Sequence, residues 1–396
     1  MLSELLHPHG SGAELATSLW IRFLAQSGFQ IRVITSIFQG EPVKSSSKGL
    51  EIFRLPLVGS SGQKYSLLRR SPILFSGLFQ ESFEWADLVY IPRFWYSAIP
   101  VAKAHGKPVV THLHDYIPIC SLATRYDLSR NENCTAHAQC HPSCVLAHER
   151  AKGSPLLQTI GSALLNVGVW PFVGQWILLS DAIICISGAQ RKILTTRMPS
   201  LARKSRLIYN LLPEVTATSV DGKDFGYFGG SNPVKGHNAL VRAAGLTKTP
   251  ATVQATGFEH QMRTDLPNGS RVLFRRRLPD LEFERVYRKI RTVVVPSIWE
   301  EPWAYVTSEA ILRGRLVIAS SAGGTPEQTA QCPGAFLVPP MNEMRLAELM
   351  DYATNLDKED ASDLALKSRE VLLERFDNRS NVKQFADLLQ KLVSRS

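Results

Sequence analysis

A strand, a loop and a helix are predicted within residues 292–313, which read TVVVPSIWEEPWAYVTSEAILR. Residues 292–295 form an apolar, β-branched run of the kind that is buried on both faces of a parallel sheet. Residues 306–313 space their apolar side chains as a helix does. Similar runs alternate with helical patterns on both sides of this stretch, so the sequence predicts an α/β fold with parallel sheets covered by helices.

The predicted strands form two groups, one in each half of the chain, and indicate two doubly wound units in tandem. Their bounds are 31–35, 88–91, 108–111 and 182–186 in the first group, and 225–228, 253–255, 272–274, 292–295 and 316–319 in the second. Residues 211–224 separate the groups and show no periodicity. We therefore expect a first domain at 1–212 with a cysteine-bearing insertion near 120–150, a second domain at 213–375, and a C-terminal helix at 376–396 that packs back on the first domain.

The 396-residue chain has the composition of a globular protein, with 44% hydrophobic and 20% charged residues. Its 45 Lys and Arg against 35 Asp and Glu leave a net charge of +10. This excess indicates an anionic partner, and composition alone leaves a phosphate-bearing substrate, an anionic lipid surface and a nucleic acid open.

Three segments bear on export, membranes and the first strand. Residues 1–4 lack the basic segment and apolar run of a secretory signal, so no such signal is expected. Residues 153–180 contain no charged residue, but prolines, glycines and polar side chains interrupt them. Because a membrane-spanning helix needs about 20 mostly apolar residues, this segment predicts one or two helices that are buried or dock on a surface.

Only residues 2–6 are available for a first strand before the helix at 15–27, so we expect either a short strand or a start upstream of Met1.

A glycine-containing turn, HGSGAE at residues 9–14, precedes a predicted helix. Gly10 and Gly12 allow a substrate to approach the backbone and the positive end of that helix. The alternative is an ordinary turn between a strand and a helix.

Two further polar segments follow predicted strands, where ligands bind in open α/β sheets. His114 and Asp115 follow one strand and offer hydrogen bonds to a sugar or phosphate, with a purely structural histidine as the alternative. Gly230 and Lys235 belong to the turn GGSNPVKG at residues 229–236, whose N–H groups and lysine suit a diphosphate. A glycine-rich turn with a surface lysine is the alternative, and the spacing is not that of a Walker A ATPase.

Glu301 and Glu309 form the most specific pattern in the sequence. Glu301 follows a predicted strand, and Glu309 lies about one turn into the next helix. Because a carboxylate accepts two hydroxyl donors, such a pair suits a polyol ligand. The amides at the start of the helix face the same space and suit a phosphate.

These segments, in this order, resemble those of the family-4 retaining glycosyltransferases, which have the GT-B fold. The resemblance spans about residues 10–376, and its most specific part is the spacing Glu301-x₇-Glu309. The other segments that carry it are 11–14, His114–Asp115, 181–187, Lys235–Gly236, Gly314, 317–320 and 323–327.

The resemblance implies two Rossmann-like doubly wound domains that face a central cleft, with a nucleotide-sugar donor bound mostly to the second domain. It also implies transfer of the donor sugar with retention of its anomeric configuration and without a metal for the diphosphate. The implied catalytic residues are His114, Glu301 and Lys235. The implied donor contacts are Glu309 to the ribose, Glu301 to the sugar, Lys235 and Gly230 to the diphosphate, and the backbone of Ala304, Tyr305 and Val306 to sugar and phosphate. Gly10 and Gly12 are expected to line an acceptor or phosphate loop.

Two positions depart from the family pattern. Gly230 stands where an arginine is usual, and Arg275, Arg276 or Arg277 are the candidates to replace that charge, with a solvated basic loop as the alternative. Ala304 stands where a glycine is usual, which narrows the approach to the backbone. A sugar-nucleotide epimerase or hydrolase of the same fold and a non-catalytic sugar-nucleotide-binding protein therefore remain alternative functions.

Four of the six cysteines cluster in the chain, at Cys120, Cys134, Cys140 and Cys144. Only the last pair has the close spacing that structural zinc favours. Free thiols in an insertion on the acceptor side, a zinc site and disulfides all stay open, and free thiols are favoured, so no metal is expected.

The acceptor is expected to be a saccharide or a lipid-linked saccharide in polysaccharide or glycolipid assembly. The basic excess and the uncharged residues 153–180 suit an anionic membrane, so we expect a cytoplasmic protein with peripheral contact to the inner face of a membrane. No pattern of interleaved basic and aromatic residues supports binding of nucleic acid, and no such partner is expected.

Overall fold

The computed structural model describes residues 1–57, 71–135, 142–151 and 153–395. The chain divides into two compact units, of which unit 1 is Met1–Leu211 with Asn378–Ser396 and unit 2 is Leu212–Asp377. The C-terminal segment therefore belongs to unit 1.

Strands and helices alternate along most of the chain. The strands are β1 (Ile31–Ser36), β2 (Lys44–Ser47), β3 (Leu50–Leu55), β4 (Val89–Ile91), β5 (Val109–Leu113), β6 (Tyr126–Asp127), β7 (Glu132–Asn133), β8 (Ala182–Cys185), β9 (Ser205–Leu207), β10 (Asp224–Tyr227), β11 (Thr252–Thr256), β12 (Met262–Asp265), β13 (Arg271–Arg275), β14 (Ile290–Val295), β15 (Leu316–Ser320) and β16 (Ala335–Val338). The helices are α1 (Gly12–Gln26), α2 (Gly77–Trp85), α3 (Ala98–Ala104), α4 (Pro142–Ala151), α5 (Leu156–Gly168), α6 (Trp170–Leu178), α7 (Gly188–Arg197), α8 (His237–Leu246), α9 (Asp280–Lys289), α10 (Tyr305–Leu312), α11 (Thr325–Thr329), α12 (Glu343–Asn355), α13 (Lys358–Arg375) and α14 (Asn378–Val393).

The described part of unit 1 contains two larger sheets and the two-stranded sheet β6–β7. The strands β4, β5, β8 and β9 form one parallel sheet in that order, while β1 pairs with β3 in parallel and β3 pairs with β2 antiparallel. The first residues of the chain run between β1 and β4, because the Leu2 amide donates to the Tyr90 carbonyl over 3.0 Å and the Ser3 amide to that of Ile34 over 3.1 Å. The first strand is thus short, as one of the two sequence-based alternatives predicts, and amounts to a bridge between Leu2 and Ile34.

Helix α14 packs against the amino-terminal part of unit 1 through an aromatic side chain. The Phe385 ring meets the buried Trp20 ring edge-on, with centroids 4.8 Å apart, and meets Tyr90 at 5.3 Å. A helix from the far end of the chain therefore supports the residues around α1 and β4.

Unit 2 contains a single large sheet in the order β12-β13-β11-β10-β14-β15-β16. It is parallel except for the edge strand β12. The chain starts in the middle at β10, adds β11 and β13 on one side, and then adds β14 and β15 on the other side. The switch in direction falls between β10 and β14, and ligands of open α/β sheets bind beside the carboxyl ends of the strands at such a switch.

Each strand that an apolar run predicts overlaps a strand of the structure. The strands that have no such prediction are β2, β3, β6, β7, β9, β12 and β16. Most of these are short, partly exposed or at the edge of a sheet, and β2 reads KSSS with mostly exposed side chains. The hydrophobic pattern fails for them because little of their surface is buried.

Residues 153–180 contain the two helices α5 and α6. The sequence predicts one or two helices in this segment, and the structure agrees. Within the described residues, no single helix is long and apolar enough to cross a membrane. The segments Leu156–Leu165 and Trp170–Leu178 meet the length and composition limits only as a pair, with a bend of 41° between them.

Candidate functional site

The switch point of the unit 2 sheet holds an ion pair between two of the predicted site residues. Lys235 lies in the turn after β10 and Glu301 in the loop after β14, and the Lys235 ammonium contacts a carboxylate oxygen of Glu301. The other carboxylate oxygen accepts a hydrogen bond from Ser297 Oγ at 2.7 Å. The Glu301 side chain is 9% exposed and that of Lys235 is 29% exposed. The lysine therefore remains within reach of a ligand while its partner carboxylate is held in place.

Backbone contacts fix this pair in the unit. The Ile298 amide donates to the Val234 carbonyl over 2.9 Å, which joins the two loops. Gly236 has a φ of 79°, and a Cβ on it would overlap the carbonyl oxygen of Pro296. The Gly324 amide donates to the Glu301 carbonyl over 2.8 Å. The glycine that follows Lys235 is thus required by a close approach between two backbone segments.

Gly230 is held against a neighbouring loop. Its φ is 66°, and a Cβ would lie 2.9 Å from the carbonyl oxygen of Gly257. The Tyr227 hydroxyl donates to the Gly230 carbonyl over 3.0 Å. As the loop stands, a side chain does not fit at the position where the family usually has an arginine.

Two of the arginines considered as replacements bind their own neighbours. Arg275 Nε donates to Oε1 of Gln254 over 3.3 Å, and Arg276 Nε donates to the carbonyl of Glu259 over 2.8 Å. The first bond joins β13 to β11, and the second joins Arg276 to the loop between β11 and β12; Arg276 and Arg277 are exposed. The proposal that one of the three replaces the missing cation stays a prediction.

Helix α10 carries Glu309 in its second turn and begins with Tyr305. Gln328, which is fully buried, holds the start of this helix from both sides. It accepts from the Ala304 amide at 3.1 Å and donates to the Ala304 carbonyl at 3.1 Å and to Ser308 Oγ at 2.8 Å. The Ala304 amide therefore has a partner within the protein, which a sequence motif does not reveal.

The environment of Glu309 favours its neutral form. Burial raises the pKa of Glu309, and the positive charge of Arg313 partly opposes that shift. Burial takes water away from this carboxylate. Hydroxyl groups of a ligand could donate hydrogen bonds to it in place of that water. The assignment of Glu309 to a polyol stays a prediction.

Unit 1 places His114 directly after β5, next to a second histidine. The rings of His112 and His114 stack with centroids 4.5 Å apart and an interplanar angle of 23°. His112 Nδ1 lies 2.7 Å from the Tyr90 hydroxyl, whereas neither ring nitrogen of His114 has a hydrogen-bond partner in the described part of the chain. Burial, with a smaller contribution from Arg93, lowers the pKa of His114 to about 3. The ring is therefore neutral at pH 7, and both of its nitrogens are buried.

A carboxylate that was not singled out from the sequence organises the glycine turn. Glu14 is 4% exposed, and its Oε2 accepts from the Ser11 amide at 2.7 Å and from the Ser11 hydroxyl at 3.0 Å. A Cβ on Gly10, whose φ is 92°, would lie 2.6 Å from the same carboxylate. The signal was present in the sequence, because Ser-Gly-Ala-Glu at residues 11–14 is a capping box.

Arg93 is the functional candidate that sequence reasoning missed. Its Nη1 donates to Oε1 of Glu14 over 2.7 Å, and its Nε lies 3.9 Å from Oδ2 of Asp115. Asp115 Oδ1 accepts from the Ile117 amide at 2.9 Å. No sequence pattern marks Arg93, since its two partners lie 79 positions before it and 22 after it.

The structure thus gathers the site residues in two sets. Unit 2 holds Lys235 and Glu301 in contact, and it also carries Gly230 and the start of α10 with Ala304, Tyr305, Val306 and Glu309. Unit 1 brings together Gly10, Gly12 and His114, and adds Glu14 and Arg93.

The cysteine cluster is described only in part. Cys120 and Cys144 are buried, Cys134 is half-buried, and Cys140 lies outside the described residues. Among the described residues, no three His, Cys, Asp or Glu side chains form a group that could hold a metal ion. The Arg125 amide donates to Cys120 Sγ over 3.3 Å, and Cys144 Sγ donates to the Tyr126 carbonyl over 3.7 Å. Two of the thiols therefore stabilise the turn around β6, and the zinc interpretation stays a prediction.

The two units with Rossmann-like parallel sheets have the GT-B fold, which similar solved structures share. The particular family follows from two family models. The chain belongs to Glycosyltransferase Family 4, whose model matches residues 10–213, and the model described as Glycosyl transferases group 1 matches residues 222–355.

One curated relative matches most of the chain, and several solved structures share its fold. An uncharacterized 42.6 kDa protein in the cps region of Klebsiella pneumoniae is 22% identical over 350 residues, which cover 85% of this chain and 89% of that protein. Sucrose-phosphate synthase from Thermosynechococcus elongatus has a TM-score of 0.71 at 17% identity, covering 100% of this chain and 98% of its own. The Anabaena protein HepE, solved in complex with UDP-glucose, has a TM-score of 0.62 at 17% identity and covers 98% of each chain.

Proposed function

We propose that the protein transfers a sugar from a nucleotide-diphosphate sugar to a saccharide or lipid-linked acceptor, with retention of the anomeric configuration. The observation that carries this proposal is the Lys235–Glu301 pair at the switch point of the unit 2 sheet, beside the start of α10. A cation, a carboxylate and helix amides are there combined in the way that a sugar diphosphate requires. Family membership and the likeness to a protein that binds UDP-glucose support it.

Unit 2 supplies the groups that we assign to the donor. Lys235 neutralises the diphosphate, whose negative charge grows as the bond to the sugar breaks. Glu301 orients the Lys235 ammonium and accepts hydroxyl groups of the sugar, and Glu309 accepts the two ribose hydroxyls. The backbone at Tyr305 and Val306 binds phosphate through the positive end of α10. The reaction on this scheme needs no metal ion, because a lysine and a helix end stabilise the leaving group.

Unit 1 supplies the groups that we assign to the sugar and the acceptor. Because its pKa lies near 3, His114 acts as a neutral hydrogen-bonding group and not as a cation. The turn with Gly10 and Gly12 is assigned to the acceptor or to a phosphate. A role in polysaccharide or glycolipid biosynthesis, at the cytoplasmic face of an anionic membrane, is part of the proposal.

The donor is tested by a thermal-shift screen of nucleotide sugars on the full chain. A ligand that binds only the folded protein raises the melting temperature. Glu309→Ala removes an acceptor of two hydroxyl groups, and we expect it to weaken binding of the best donor about 100-fold. Glu282→Ala, which removes an exposed carboxylate on α9, is the matched control and should leave affinity unchanged.

The reaction is tested by NMR of the product formed from that donor and a candidate acceptor. Retention predicts that the new glycosidic bond keeps the donor's anomeric configuration, and inversion would refute it. Turnover of the nucleotide sugar in the absence of acceptor would instead support an epimerase or hydrolase. Activity that disappears with EDTA and returns with a divalent cation would contradict the metal-independent scheme.

A further inference from the structure

Helix α5 in unit 1 turns its apolar side toward solvent. Leu156, Leu157, Ile160 and Leu164 are exposed by 74%, 85%, 46% and 68%. At 100° per residue these four positions fall within an arc of about 100° on the helix surface. A surface helix of a globular protein normally buries such a stripe. Isolated exposed leucines are common, but four on one face of a single helix require a partner.

The opposite side of α5 is polar and faces the protein. Thr159 and Ser162 are 4% and 3% exposed. Thr159 satisfies its hydroxyl locally, by donating to the carbonyl of Pro155 over 3.1 Å. The helix contacts its two neighbours α4 and α6. The helix therefore exposes its apolar side and buries polar residues, which is the reverse of an ordinary surface helix. Burial in unit 1 does not explain its apolar stripe.

The sequence around this helix is strongly basic. Residues 142–206 contain eight Lys and Arg against two Asp and Glu, so 8 − 2 gives +6 of the chain's net +10. None of these charges falls within residues 153–180. Arg150, which is exposed, lies six positions before the first leucine of the stripe, and the Lys204 ammonium donates to the Leu178 carbonyl at the end of α6 over 2.6 Å. The nearest charge after the segment is Asp181, whose carboxylate is paired with the Lys103 ammonium at 2.8 Å, and the net charge of the two flanks is positive.

We infer that the stripe of Leu156, Leu157, Ile160 and Leu164 inserts into the interface of an anionic lipid bilayer, with α5 parallel to the membrane plane. An apolar helix face with basic flanks binds such a surface through burial of apolar area and attraction to anionic headgroups. A second copy of the chain is a poorer partner, because two identical surfaces of this kind bring like charges together. The inference deepens the proposed function, on which it rests for the lipid-linked acceptor, by naming the surface that meets the lipid.

The test is flotation of the purified full chain with vesicles of phosphatidylcholine, with and without phosphatidylglycerol. We expect binding to the anionic vesicles that weakens in high salt. Leu157→Glu should lower the partition coefficient about tenfold on burial arguments. Leu281→Glu is the matched control, because Leu281 is 80% exposed on α9 of unit 2 and its substitution should change nothing. Arg150→Gln should weaken binding about fivefold on anionic vesicles only.

Several outcomes would overturn the inference. They are absence of binding to anionic vesicles, equal effects of Leu157→Glu and Leu281→Glu, and resistance of the bound protein to alkaline carbonate, which indicates a spanning segment. A dimer that Leu157→Glu converts to a monomer would identify a second copy as the occupant. The melting temperature of each variant, compared with that of the wild type, confirms that it is folded. Failure to float with normal donor binding refutes the surface, whereas flotation without donor binding or turnover refutes the proposed function.

Discussion

The guanidinium of Arg93 joins the start of α1 to the segment after β5, with Nη1 at 2.7 Å from Oε1 of Glu14. The same side chain places Nε 3.9 Å from Oδ2 of Asp115. Both carboxylates are buried, and burial raises the pKa of Asp115 while the charge of Arg93 opposes that shift. One cation thus faces two buried anions from different parts of the chain, beside the glycine turn and His114.

The first prediction concerns the stability that this cation provides. Arg93→Met removes the charge and leaves Glu14 and Asp115 buried without their partner. Breaking a buried pair in this way costs about 3 kcal/mol, since the remaining charge is desolvated and uncompensated. We expect the free energy of unfolding at pH 7, measured with urea, to fall by that amount.

The matched control for Arg93 is an exposed ion pair. Arg263 and Asp265 lie 2.7 Å apart with side chains 58% and 63% exposed. Because an exposed pair contributes about 1 kcal/mol or less, Arg263→Met should have a small effect. Adding Glu14→Gln to Arg93→Met should restore part of the lost stability. An Arg93→Met protein as stable as the wild type would contradict the role assigned to this cation.

The second prediction concerns Lys235 in the proposed reaction. Lys235→Met removes the cation assigned to the leaving diphosphate, so kcat should fall by about 100-fold or more. Lys235→Arg keeps the charge and should lose less activity. Lys367→Met, which breaks an exposed pair with Asp363, should leave kcat unchanged. Steady-state kinetics with the donor found in the thermal-shift screen decide the matter. A kcat that Lys235→Met leaves unaltered would remove this lysine from the mechanism.

Sequence patterns predicted the central strands because those strands are buried on both faces. Residues 292–295 are all β-branched and three of them are valines, and β14, which contains them, is buried along its whole length. The sequence patterns gave no indication of β12, whose side chains are mostly exposed. A solvated edge strand carries no hydrophobic pattern that a sequence could display.

Sequence patterns also identified most of the candidate site residues, but they did not predict which of these residues contact each other. Lys235 and Glu301 were predicted to bind different parts of a ligand, and the structure places them in contact with each other. Gly230 was predicted to let a diphosphate approach the backbone of its turn. In the structure, that backbone is packed on Gly257. Arg93 could not be predicted, because an ion pair between distant segments leaves no local pattern.

The third prediction concerns His114 and pH. The pKa of this imidazole is about 3 in the folded protein, against an ordinary value of 6.5, and burial is the main cause. Between these values the unfolded chain binds a proton that the folded chain does not, so the free energy of unfolding decreases as pH falls below about 6.5. One such group contributes a slope of up to about 1.4 kcal/mol per pH unit.

His114→Asn removes that contribution and should flatten the dependence of stability on pH between 6.5 and 4. Burial also lowers the pKa of His112, so part of the slope should remain in the variant. The measurement is a series of urea unfolding curves at half-unit intervals of pH. Equal slopes for the wild type and His114→Asn would show that the imidazole at 114 titrates in the same way in the folded and unfolded chains.

The last prediction concerns the packing of Gly230 and uses a second glycine as its control. Gly230→Ala introduces a Cβ at a φ of 66° and only 2.9 Å from the Gly257 carbonyl oxygen. Gly28→Ala introduces one at a φ of 90° with no atom within 4 Å. Both variants incur the cost of a left-handed backbone, roughly 1 kcal/mol, but only Gly230→Ala adds a clash. We therefore expect Gly230→Ala to lower the free energy of unfolding by at least 1 kcal/mol more than Gly28→Ala does. If the two losses are equal, the loop at Gly257 yields readily, and contact with it does not account for a glycine where the family usually has an arginine.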